Sequence, residues 1–129
     1  MAASPFSYAV VRIVPRVERG ERINAGVVVF CRPLTYLGAR THLDEERLRA
    51  LAPELDPETV RPHLRAIERI AAGDPEAGPI AQLDPTERFH WLVAPSSTIV
   101  QPSKVHTGLC EDPPAQLERL FAELVLEPR

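Results

Sequence analysis

The chain has 129 residues, a formal net charge of −3, and 44% hydrophobic against 26% charged residues. That is the size and balance of one globular domain with its own core, and it argues against disorder. The acidic balance disfavours a nucleic-acid role, which rests on a cationic surface, and no apolar run approaches the ~20 residues that cross a bilayer.

Residues 6–14 are rich in Val, Ile and Tyr and predict a first strand. Residues 23–32, nearly all apolar from Ala25 onward, predict a second. Being apolar on both faces, it belongs at the centre of its sheet. The charged link 15–22 carries Gly20 and suits a long hairpin loop. After a turn at Arg32-Pro33, residues 34–41 predict a third strand, so that the three form an antiparallel meander.

Helices follow. Asp44 is placed to cap a first one, with Leu43 positioned to staple onto Leu48. Asp56-Pro57 opens a longer helix whose apolar positions Val60, Leu64, Ile67 and Ala71 are spaced i, i+4, i+7 and i+11, and Gly73 stops it. Residues 73–80 have the composition of a loop. Asp84, with Glu87 three residues on, makes a capping box before Phe89, Leu92 and Val93. Residues 98–101 predict a short strand, and 104–106 continue it beyond Pro102 at a sheet edge, because proline cannot donate to a ladder. Asp112-Pro113 opens a last helix with the stripe Leu117, Leu120, Phe121 and Leu124. Most of the 14 prolines mark such boundaries. The expected fold is a single α+β domain over residues 1–129, an antiparallel sheet of about four strands with helices packed mainly on one face.

Two polar constellations stand out. The first, residues 18–24, delivers Glu21, Arg22 and Asn24 to the start of the central strand. Alternation puts Asn24 and Gly26 on one face, and Gly26 marks either a close backbone approach or a bulge. Arg22 and Asn24 suit an anion or an amide, although a charged loop entering a strand ordinarily faces water. The second, residues 96–108, gathers Ser96, Ser97, Gln101, Ser103, His106 and Thr107 around Pro102. Ser103 and His106 are of nucleophile and base type, but i to i+3 on an extended stretch sets them on opposite faces unless the chain turns between them. No Gly-x-Ser-x-Gly elbow surrounds any serine. The preferred reading of these hydroxyls is that they satisfy backbone groups around the turn.

Arg12 is the odd residue of the first strand, on the face of Tyr8, Val10 and Val14. An arginine among apolar neighbours must be paired or snorkel, so Arg12 is expected to pair with Glu21 or Asp112, or else to reach a ligand; the ion pair is the preferred reading. His42, His63, His90 and His106 have no paired metal-ligand spacing, and neither metal nor cofactor is expected. Cys31 and Cys110 belong to no redox or metal spacing; Cys31 reads as a small buried apolar residue. The N-terminal residues lack the pattern of a signal peptide, and a reducing cytoplasm is the expected compartment.

Residues 6–15, residues 21–31 and the run from Phe89 through Gly108 together resemble a bacterial family, the domain of unknown function numbered 3037. The likeness spans nearly the whole chain. It implies a small bacterial protein often encoded beside a kinase of HipA-like fold, and it implies no activity. It directs attention to Arg12, Glu21, Arg22, Asn24, Gln101, Ser103, His106 and Thr107 as the positions that match the family's motifs. The leading functional expectation is therefore a non-catalytic accessory protein acting through protein contacts, with a HipA-like kinase as partner. The alternative is a small enzyme or ligand-binding domain whose anion pocket joins Arg22 and Asn24 to Gln101, Ser103 and His106, with arginine as the anion fork and histidine as proton carrier. A homodimer through an exposed sheet edge is compatible with the strand pattern, membrane binding is not expected, and nucleic-acid binding would need a contiguous face of Arg12, Arg16, Arg19 and Arg22.

Overall fold

The meander is present as β1 (Ser4–Ile13), β2 (Ile23–Cys31) and β3 (Tyr36–Thr41) in the computed structural model, which describes residues 2–96 and 98–126. β3 starts two residues later than the sequence predicts. The preceding turn uses residues 32–35, closed by the Thr35 N–H donating to the Arg32 carbonyl at 3.0 Å, with Thr35 at φ 50°.

Five strands occupy four positions. The order is β3-β2-β1-β4, and β5 (His106–Cys110) pairs with the same side of β1 as β4 (Val100–Pro102). β4 lies along Val11–Ile13 and β5 along Ser4–Tyr8, both antiparallel to β1. They are one interrupted strand, and the interruption is residues 103–105. The edge placement agrees with the presence of Pro102. The sequence reading stopped the second segment at His106, whereas His106 begins it.

β2 carries a bulge. Val11 pairs with Gly26 and Arg12 with Asn24, so Ala25 is the extra residue. Asn24 therefore shares the face of Arg12 while Gly26 shares that of Val11. The expectation that Asn24 and Gly26 lie on one face fails because the bulge resets the alternation. Gly26 is also a close approach: a Cβ there would come within 2.8 Å of the Arg40 carbonyl oxygen.

Three helices cover one face of the sheet: α1 (Glu45–Leu51), α2 (Arg61–Ala72) and α3 (Pro85–Leu92). Their apolar stripes, including Leu48, Leu64, Ile70, Phe89 and Leu92, pack with Val11, Ile13, Val28 and Phe30. Asp44 and Asp84 cap α1 and α3 as read from the sequence, and Gly73 ends α2 at φ 72°. Asp56 instead caps a short 3-10 turn, Pro57–Thr59, and α2 begins only at Arg61. Pro62 is the reason: it has no N–H to give the Glu58 carbonyl, so no continuous α-helix can run back through it. On the opposite face lies α4 (Pro113–Phe121), capped by Asp112 and continued by a π-helical turn, Ala122–Leu126. Leu117, Leu120 and Phe121 pack there with Phe6, Val27, Val29, Cys31 and Cys110. The fold is thus α+β, with helices mainly but not wholly on one face.

Candidate functional site

Arg12 sits near the C-terminal end of β1, in register with Asn24 on β2 and Gln101 on β4. Paired residues of an antiparallel ladder point to the same face. Asn24, Arg12 and Gln101 therefore form one polar row across three strands, on the side that carries α4. The π-helical turn after α4 reaches this row: the Asn24 side-chain amide donates to the Leu124 carbonyl at 3.0 Å. The Gln101 amide donates to the Thr98 carbonyl at 2.7 Å. Each amide thus uses one N–H on a main-chain oxygen.

The ion pair expected for Arg12 does not form. Glu21 is bidentate with Arg19 in the hairpin loop, at 2.7 and 3.0 Å, which holds the Glu21 carboxyl below the usual range. Asp112 accepts from the Ala115 N–H at the start of α4. Arg12 Nε is buried and has no hydrogen-bond partner among the described residues. Burial, and then the nearby Arg22, lower the pKa of the Arg12 guanidinium. Arg22 itself is exposed and makes no salt bridge among the described residues.

Ser103 fills the break between β4 and β5. Its N–H donates to the Val10 carbonyl at 2.8 Å, and its Oγ accepts from the Val10 N–H at 2.9 Å. The hydroxyl then donates to the Lys104 carbonyl at 2.8 Å. A side-chain oxygen here stands in for a main-chain carbonyl, keeping β1 paired across the gap. Ser103 is the one buried polar residue among those described, at 5% exposure, and its oxygen is committed to the backbone, which is the structural reading made from the sequence. Ser96 acts likewise in a small turn with Thr98. Ser97 lies outside the described residues.

His106 pairs with Tyr8, and their rings stack at 5.2 Å between centroids. It is exposed. Tyr8 is four residues from Arg12 along β1, about 13 Å at the strand rise, and Arg22 lies farther still along the sheet. The register therefore brings Asn24, Arg12 and Gln101 together and leaves His106 apart. Thr107 pairs with Ser7 on the opposite face and is exposed, and Glu21 is engaged in the loop. Arg16 and Arg19 are paired with Glu54 and Glu21, so the arginine face imagined for nucleic acid is partly neutralised.

A second feature was not read from the sequence. Between α2, α3 and β4 lies a cleft of ≈ 320 Å³, lined by His63, Ile67, Trp91, Pro95, Val100 and Pro102 among others. Trp91 is 50% exposed at this cleft. The signal for it was available: α3 buries Phe89 and Leu92, which leaves Trp91 off the core stripe. Among the described residues no group of three His, Cys, Asp or Glu is placed to hold a metal ion, and no helix is long and apolar enough to cross a membrane.

Residues 8–125 match the family described as Protein of unknown function (DUF3037). The chain belongs to that family. The DUF3037 match takes in both polar constellations, the bulge, the interrupted strand and the cleft. Comparison with curated proteins and with solved structures returned no match.

Proposed function

We propose that this DUF3037 protein is a non-catalytic accessory protein that works by binding another protein, and that the partner is a kinase of HipA-like fold. The observation that carries the reading is the half-exposed Trp91 at an apolar cleft between α2, α3 and β4. Exposed tryptophan beside a preformed apolar hollow is the kind of group that dominates a protein interface once water is excluded from it. The choice of partner rests on the family resemblance. The commitment of Ser103 Oγ to Val10 and Lys104 supports the non-catalytic reading, because it takes the best-placed hydroxyl out of nucleophilic use.

Co-expression with the kinase followed by size-exclusion chromatography tests this. A joint peak is expected, with Trp91→Ala weakening the complex by roughly 30-fold, as for an interface anchor worth about 2 kcal/mol. Clean separation of the two proteins at micromolar concentration would overturn the reading.

The second reading, a ligand-binding domain, is favoured by one specific observation: Arg12 Nε, in register between Asn24 and Gln101, has no hydrogen-bond partner among the described residues. It keeps Asn24 and Gln101 from the pocket expected from the sequence, and it moves the centre to Arg12.

A further inference from the structure

We infer that the row Asn24–Arg12–Gln101 is a binding site for a carboxylate, with Arg12 as its fork and Arg22 as a second positive charge at its outer end. This rests on the ligand-binding reading and names the ligand class. Three observations carry it. Arg12 Nε is enclosed and lacks an acceptor among the described residues, a state that leaves a strong donor unsatisfied. The acids expected to serve it are engaged elsewhere, Glu21 with Arg19 and Asp112 at the α4 cap. Arg22, two residues before Asn24 on the chain and near enough to repel Arg12, makes no salt bridge among the described residues. Two guanidinium groups in proximity, neither with a salt bridge among the described residues, are relieved by one anion placed against both.

Asn24 and Gln101 stand in register on either side of Arg12, each with an amide N–H on a main-chain carbonyl. The planar fork of a guanidinium matches the two coplanar oxygens of a carboxylate. The Leu124 carbonyl, held by Asn24, closes the row on the α4 side. The C-terminal end of a helix favours a nearby cation such as Arg12, yet the dipole gives its Nε–H no hydrogen bond.

The experiment is thermal unfolding at matched ionic strength with sodium acetate, succinate or glutamate, against chloride, inorganic phosphate and sulfate. A carboxylate is expected to raise the midpoint by about 3 °C or more at saturation. Arg12→Gln is expected to abolish that rise, and Arg22→Gln to shift its midpoint at least tenfold toward higher ligand. Gln101→Glu supplies a carboxylate from within the row; it should raise the midpoint without ligand and remove the response to added acid, which keeps the test open if Arg12→Gln fails to fold. A rise with phosphate or sulfate equal to that with carboxylate would overturn the carboxylate assignment and leave a ligand-binding domain standing. No rise with any of these anions, together with a neutral Gln101→Glu, would overturn both.

Discussion

On one face of the sheet Val11, Ile13, Val28 and Phe30 meet three helices in an all-apolar cluster; on the other, Phe6, Val27, Val29 and Cys31 meet one helix, and the same face ends in Asn24, Arg12 and Gln101. The difference lies in how far the covering layer extends. α1, α2 and α3 cover the first face, so its central inward positions are apolar, and Thr41 at the β3 edge gives its hydroxyl to Glu68 of α2. α4 covers the Phe6 end, and only a π-helical turn reaches the Arg12 end. A strand can keep an arginine facing inward where its roof stops short. The polar row is therefore a result of incomplete cover, while the three-helix face holds the larger apolar cluster.

Core truncation is the strongest way to test that division. Leu48→Ala, on α1 in the three-helix cluster and 1% exposed, is expected to destabilise by about 3–5 kcal/mol in urea unfolding. Leu120→Ala on the one-helix face, 9% exposed, should cost nearer 2 kcal/mol, because the thinner layer can relax into the cavity. Equal losses would erase the comparison. Ser103→Ala comes next: it leaves the buried Val10 N–H without its acceptor and should cost about 1–3 kcal/mol, with faster hydrogen exchange at Val10. Arg12→Met should cost less than about 1 kcal/mol in ligand-free buffer, since it removes a guanidinium whose Nε has no partner among the described residues and keeps much of the volume. A loss as large as that of Leu48→Ala would show that Arg12 holds the fold together.

The smallest effect is at the α3 cap. The Glu87 amide hydrogen-bonding to Asp84 holds the Asp84 carboxyl below its ordinary value. A depressed carboxyl contributes stability above its unfolded pKa and loses it as pH falls through the lowered folded one, here below about pH 4. Asp84→Asn keeps the cap acceptor and should flatten that part of the thermal midpoint against pH.

Local chemistry made much of the fold legible. Asp44, Asp84 and Asp112 announce their helices because a cap needs only its own next few residues, and the apolar run of β2 announces a strand with neighbours on both sides. What escaped was set by distant partners. Nothing near Ser103 indicates that its hydroxyl will serve Val10, ninety-three positions away. The bulge at Ala25 depends on the register against Val11 and Arg12, so alternation read along β2 alone put Gly26 on the wrong face. Pro62 was legible, but the proline at position 57 drew the helix start too early. Arg12 was rightly singled out as needing a partner. Its proposed acids were lost to closer competitors, Arg19 and the α4 amides, whose positions only the fold decides.

The three-residue gap between β4 and β5 has a consequence for association. A second molecule that tried to lengthen the sheet from this side would find a three-residue rung, a stretch already bonded inward through Ser103, and then a five-residue rung. On the far side, Glu68 already occupies the Thr41 N–H and hydroxyl. The β4–β5 flank thus offers no long uninterrupted template, whereas β3 leaves Tyr36–Arg40 without such an obstacle, so two copies that paired by continued hydrogen bonding would meet fewer breaks along β3.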